Sequence, residues 1–377
     1  MTKTQDNIET EALLDPTSPE MPESLEQLIE EPLWKIRLRL LRKTASENWV
    51  IFKKSKIGLV GLVIIGVFAL MAVVQPILIA TDVWPGSIYD PVVGNEPNPP
   101  TSFKTIVPVG EVEDPLTQIS QRDALLVAPL ANLGDEIQIR LQPAPPGNGH
   151  ILGTDPLGRD VMSQLMFGAR AAFALGIVAA VVTVFLGTTI GSISAYFGGI
   201  IDGFFMRLAD LLLMLPALAL LVALSSVFID YELWHLAVLI GVLGGFGGTA
   251  IVLKSQALTV KVKPFVDAAR VAGGSNTRII FTHIIPNVLP LSFLYMMFTV
   301  TAAIALEATL SFLGLSNIDM SWGIMLQLAQ NEGYLLSGTR FWWLLFPAGA
   351  AVTLMAAAFY LVGRGMDEVV NPRLRRR

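Results

Sequence analysis

Six stretches of this chain are apolar for about the 20 residues that a helix needs to cross a hydrocarbon core roughly 30 Å thick. They lie at about 57–80, 171–197, 208–229, 234–256, 290–313 and 341–363. Few other architectures accommodate six such runs, and the fold expected is an all-α polytopic membrane protein of about six transmembrane helices. Composition agrees: the 377 residues are 53% hydrophobic and 15% charged, where an average soluble domain has roughly 25% charged residues. There are no cysteines, which excludes disulfides and thiolate metal sites. The three histidines, His150, His235 and His283, are far apart in sequence, so no metal site is expected.

The polar residues are sorted by region. Residues 1–31 form an acidic tail broken by Pro16, Pro19 and Pro22, read as disordered. They lack the basic start and apolar core of a signal peptide. Residues 32–56 are basic and amphipathic, with Trp34 and Trp49 among eight Lys and Arg. They suit either an anionic membrane surface or a solvated basic stretch that only sets topology. After the first transmembrane helix at 57–80 comes a proline-rich polar segment, 81–170, read as extracytoplasmic. Residues 171–363 form the transmembrane core, which includes a polar loop at 254–289, and 364–377 is a basic tail.

Basic residues favour the cytoplasmic side of a membrane. If the N-terminus is inside, twenty Lys and Arg are inside: nine before residue 57, Arg207, five from Lys254 to Arg278, and five from Arg364 on. Six are outside: Lys104, Arg122, Arg140, Arg159, Arg170 and Arg340. Both termini are therefore expected in the cytoplasm.

The 254–289 loop then faces the cytoplasm. Pro264 suits a helix's first turn, and Asp267 and Arg270 each agree with the helix dipole. Ala268, Ala269 and Ala272 favour helix and let a partner surface approach the backbone. Gly273 and Gly274 provide a stop, Ser275 can cap a second helix, and Pro286 marks the return to the membrane. A solvated cytoplasmic hairpin is the alternative for alanines alone. On the other side, His150-Ile-Leu-Gly-Thr-Asp-Pro-Leu-Gly-Arg159-Asp160 is a turn feeding a helix, with Arg159 and Asp160 available for pairing. It suits either a structural cap on the bundle or contact with cargo.

The spacing Asp267-Ala268-Ala269, then Gly273, then Ile285-Pro286, resembles the EAA loop of ABC-importer permeases. Asp267 stands for that pattern's Glu, His283 for its distal Ile, and Ile285 for its Leu. The Leu152–Asp160 segment resembles the corresponding stretch of the dipeptide, oligopeptide and nickel branch. Further similar segments are Tyr196–Gly199, Leu310–Leu315 and Ser321–Gly323, so the resemblance covers roughly 35–80 and 150–370. It implies the permease fold in a bacterial or archaeal plasma (inner) membrane, moving peptides or similar small solutes. It also implies coupling through Asp267, Ala268, Ala269, Arg270, Gly273, Ile285 and Pro286 to two ATP-binding subunits, which would carry ATP and Mg. A second permease subunit and an extracytoplasmic solute-binding protein are the other implied partners. No cofactor on this chain and no nucleic acid is expected.

Glu307 lies within the fifth apolar run. An intramembrane carboxylate usually faces a bundle interior or watery cavity, so it reads as either a pathway residue or a structural hydrogen bond. Arg207 and Asp210 are spaced to pair with each other. Pro216 is expected to kink the third span, and the glycines of the second and fourth to allow close packing. No phosphate loop, hydrolase elbow or zinc-protease motif occurs, so the chain is not expected to be an enzyme. The alternatives are an ATP-independent channel or ion-coupled secondary transporter using Glu307, or a membrane-anchored scaffold using 81–149.

Overall fold

The computed structural model describes residues 39, 43 and 46–370, except 94–100, 114–116, 128–129, 141–142, 148, 228–231 and 338. The acidic tail, most of the basic segment before residue 46 and the end of the basic tail lie outside the described residues. The chain divides into a unit ending at Lys54 and a unit from Ser55 to Arg377. In the first, residues 46–52 are helical. Trp49 stacks on Phe52 at 5.8 Å, and the Lys53 ammonium lies 5.4 Å over the Trp49 ring.

The second unit opens with α1, Lys56–Ala80, capped by Ser55, whose hydroxyl accepts the Gly58 amide. Val63, Val67, Leu70 and Val73 of α1 are exposed, the pattern of a peripheral helix solvated by lipid. After the short α2, Gly86–Tyr89, come β1, Thr101–Val107, and β2, Gln118–Ser120. The helix α3, Gln121–Val127, and β3, Glu136–Arg140, follow. The three strands form one sheet with β1 central, parallel to β2 and antiparallel to β3. This sheet is an addition to the helical expectation. Thr101, Phe103, Thr105, Ile106 and Val107 are strand formers, but the surrounding prolines conceal a pattern only seven residues long. Burial, and then the nearby Arg340 guanidinium, push the Lys104 ammonium below its usual range.

The spine is α4, Val161–Phe197, of 37 residues, about 55 Å long at 1.5 Å per residue. It begins ahead of the apolar run at 171 because Val161, Met166 and Ala169 are buried in protein. Next come α5, Gly199–Met214, and α6, Ala217–Val227, which meet at 87°. The third run, expected as one kinked span, is therefore a sharply broken pair. Pro216 disfavours helical geometry in the residue before it, and Leu215 is accordingly extended, with ψ 127°. The fourth run is likewise divided: α7, Leu233–Phe246, and α8, Gly248–Lys261, bend by 44° about Gly247.

Two short helices follow, α9, Pro264–Val271, and α10, Asn276–Ile279. A π-helical turn at Ile280–Ile284 leads into α11, Ile285–Phe312. The outer elements are α12, Trp322–Asn331, and α13, Trp342–Val370. Among the described residues, four helical segments can cross a membrane by length and composition, or up to six if each bent pair counts as one span.

Close approach between helices depends on glycine, as expected. A Cβ on Gly241 of α7 would stand 2.6 Å from Val182 Cβ, and one on Gly191 of α4 would stand 2.7 Å from the Lys254 amide nitrogen. Small residues at such crossings let backbones pack where lipid supplies no hydrophobic drive. The expected Arg207–Asp210 pair is absent: neither side chain makes an ion pair among the described residues, and the pair in this region is Asp202–Lys254. Both Arg207 and Asp210 are exposed on α5, where two long side chains gain little by ordering against each other.

Candidate functional site

The 254–289 loop is built from two short helices with opposite inner and outer characters. Pro264 opens α9, where its missing N–H costs nothing. Asp267 sits in the first turn and Arg270 in the last. Their side chains meet at 3.1 Å and are both more than half exposed, so the pair contributes at most about 1 kcal/mol. The stop is a complete Schellman motif. Gly273 has φ +80°, its amide donates to Arg270 O at 3.0 Å, and the Gly274 amide donates to Ala269 O at 3.0 Å. Ser275 then caps α10, accepting the Arg278 amide at 3.3 Å.

Pro286 lies in the first turn of α11, just after the π turn. Proline cannot donate to the carbonyl four residues back, and its ring crowds that carbonyl. The wider turn relieves the crowding, and the Asn287 side chain donates to the His283 carbonyl at 2.8 Å.

The inner face is anchored. Val266, Ile279, Ile280 and Ile284 are buried with Leu253, Ala257 and Val260 of α8 and Ala195 and Tyr196 of α4. Ala269 and Ile285 pack partly against this cluster. The Tyr196 hydroxyl donates to Asn276 Oδ1 at 2.7 Å, and Lys261 Nζ donates to the carbonyls of Ala195 and Tyr196 at 3.0 and 2.8 Å. The loop is thereby fixed to α4, α8 and α11 together.

The outer face is exposed. Phe265, Asp267, Ala268, Arg270, Val271 and Ala272 are exposed, with Val271 at 89%. Of the predicted loop residues, Asp267, Ala268, Arg270, Gly273 and Pro286 are exposed, whereas Ala269 and Ile285 face inward. Sequence reasoning missed Phe265 and Val271. The signal was available in the alternation of Phe265 and Ala268 with Val266 and Ala269, which divides α9 into two faces.

The far end of α4 is held by a buried polar cap. Asp160 Oδ1 accepts the Ser163 amide at 2.7 Å, and Asp160 Oδ2 lies 2.8 Å from His150 Nδ1. Asp155 accepts from the Arg159 amide and Nε and from Gln164 Nε2. Arg159 Nη1 reaches the Val92 carbonyl, and Trp343 Nε1 donates to Thr154 O. Arg159 and Asp160 are thus 7% and 1% exposed and turned into the cap.

Glu307 lies five residues from the end of α11 and is 5% exposed. Its carboxylate accepts from Ser311 Oγ at 2.7 Å, and Ser321, the N-cap of α12, lies nearby. Its neighbour Leu306, rather than Glu307, lines an open, mostly apolar cavity of about 620 Å³. That cavity sits where both bent pairs meet α11, against Pro216, Gly247, Tyr295 and Thr299. Among the described residues, no group of three or more His, Cys, Asp and Glu is placed to hold a metal.

The profile of the family described as binding-protein-dependent transport system inner membrane component matches residues 187–376. The chain belongs to this family.

A second profile, the N-terminal transmembrane domain of oligopeptide transport permease C, matches residues 45–97. A putative peptide transport system permease protein of Brucella suis biovar 1 (strain 1330) is 34% identical, over 67% of this chain and 84% of its own length. The dipeptide transport system permease protein DppC of Bacillus subtilis (strain 168) is 36% identical, over 62% and 72%. The oligopeptide transport system permease protein OppC of Haemophilus influenzae (strain ATCC 51907 / DSM 11121 / KW20 / Rd) is 34% identical, over 59% and 70%. The permease is a multi-pass membrane protein. Its 254–289 loop lies wholly within the first matched region, and its sheet lies between the two.

Proposed function

We propose that this chain is one of two membrane-spanning subunits of an ATP-driven importer of peptides in a bacterial or archaeal inner membrane. The loop at 254–289 receives motion from a cytoplasmic ATP-binding subunit, and ATP and Mg are bound there rather than here. The observation that carries this reading is the two-faced loop. Its outer face offers Phe265, Ala268 and Val271 to a partner, while its inner face is bonded to three membrane helices. Displacement of α9 is therefore transmitted to α4, α8 and α11 as a group. The broken pairs α5–α6 and α7–α8 meet in an apolar cavity, which gives the bundle joints about which two arrangements can interconvert. Peptide as cargo follows the printed names of the relatives, and delivery by a separate solute-binding protein follows the family's description.

The rival ion-coupled reading relies on Glu307 as an ion site. The buried Ser311 bond, with Ser321 at the start of α12 nearby, favours a structural role. The test is purification of the chain from mild detergent with identification of what accompanies it. An ATPase should co-purify and be lost when residues 267–273 are replaced. A chain that purifies alone and moves peptide in liposomes without ATP would overturn the proposal.

A further inference from the structure

A second open groove, also of about 620 Å³, lies at the cap end of the bundle. Its walls come from three separate parts of the chain. Phe167 and Arg170 project from α4, Glu232 and Trp234 from the head of α7, and Asn317 and Asp319 from the segment between α11 and α12. Arg170 is 26 residues from Tyr196, the contact with the 254–289 loop, or about 39 Å along the helix. The groove and the loop therefore mark opposite ends of one rigid rod.

The charges are the informative feature. A guanidinium and two carboxylates border one groove, and all three side chains are exposed. Among the described residues none of them ion-pairs with another, whereas Asp155–Arg159 nearby closes at 2.7 Å. Opposite charges held apart across a groove present a cation binder and an anion binder at once. The half-buried Phe167 and the exposed Trp234 add apolar lining to the same groove. A volume of this size is within the range of roughly 300–1,000 Å³ typical of small-molecule sites.

We infer that this groove is a binding site for a short zwitterionic peptide, with Arg170 receiving the terminal carboxylate and Glu232 and Asp319 the terminal ammonium. Arginine suits the first task because its planar fork matches a carboxylate bidentately. A doubly charged ligand gains both interactions only if both termini are free, so the site selects against blocked peptides. The inference rests on the peptide-importer reading and specifies where this chain meets its cargo. The cap at Asp160 anchors the first turn of α4, the helix that carries Arg170.

The test uses the full chain in nanodiscs, titrated calorimetrically with trialanine, N-acetyl-trialanine and trialanine amide, alongside trialanine uptake by cells carrying the complete transport system. Trialanine should bind more tightly than either blocked peptide by about tenfold, the worth of one charge-assisted hydrogen bond. Arg170→Gln should remove the discrimination against the amide only. Glu232→Gln with Asp319→Asn should remove the discrimination against the acetylated peptide only. Each variant should raise the uptake KM for trialanine by a similar factor. Loss of one preference with retention of the other cannot come from misfolding. Equal binding of the three peptides, no binding of any, or variants with wild-type preferences and KM would overturn the groove assignment while wild-type uptake left the importer reading standing. Absence of ATP-dependent trialanine uptake by wild-type cells would instead overturn the peptide-importer reading, and the groove assignment with it.

Discussion

Ala268 and Ala269 are adjacent, yet one faces out from α9 and the other packs partly against the cluster joining α4, α8 and α11. Tryptophan at the two positions should therefore fail for different reasons. Ala269→Trp overpacks the anchoring cluster and should cost about 1–3 kcal/mol, seen as a lower melting temperature in detergent. Ala268→Trp should leave that temperature unchanged and abolish ATPase co-purification. If both variants lost stability equally, the division of α9 into an anchoring and a contacting face would be wrong. Glu307 allows a second residue-scale test. Glu307→Gln keeps an acceptor oxygen for Ser311, so uptake and melting temperature should stay near wild type. Glu307→Leu removes the acceptor from the buried Ser311 hydroxyl, at about 1–3 kcal/mol if it is left unsatisfied. Loss of uptake in Glu307→Gln with normal melting would favour an ion-coupled mechanism.

At the scale of elements, α4 depends on its cap. Asp160→Ala removes the N-cap acceptor, worth about 0.5–2 kcal/mol, and also the 2.8 Å contact with His150 Nδ1, a residue only 2% exposed. Asp160→Asn keeps an oxygen for the Ser163 amide and sets a donating amide nitrogen against His150 Nδ1, so it should lose less. Thermal unfolding of the two variants would rank them, and equal melting temperatures would show that the cap does not hold the helix. Much of this level was legible in the chain. Apolar length alone located the crossings, and Pro264, Gly273 and Ser275 gave the ends of the loop helices because their local chemistry is independent of context. The 87° break at Pro216 was less legible, since proline specifies an interruption but neighbouring helices set its angle. The small sheet was concealed because its strands pair across intervening segments longer than the strands themselves. The assignment of Asp155 rather than Asp160 to Arg159 was likewise hidden, as both acids sit within reach in sequence and only the turn at Gly158 decides between them.

At the scale of the whole molecule, the charge distribution and the rod-like α4 give a prediction about sidedness. The loop at 254–289 and the cap around Leu157 lie at opposite ends of α4, so one must be on each side of the bilayer. The excess of Lys and Arg in the segments grouped with the loop, against only Lys104, Arg122, Arg140, Arg159, Arg170 and Arg340 in those grouped with the cap, predicts a cytoplasmic loop. The natural absence of cysteine makes this directly measurable, because a single introduced thiol is the only reactive one. Leu157 and Ala268 are both exposed, so neither substitution disturbs a core. In intact cells a membrane-impermeant maleimide should label Leu157→Cys and leave Ala268→Cys untouched. In inverted vesicles stripped of bound ATP-binding subunits the result should reverse. The opposite pattern would place α9 outside, where no ATP-binding subunit can reach it, and would remove the lever together with the topology. The predicted pattern would also put the mixed-charge groove by Arg170 on the side from which an importer receives its cargo.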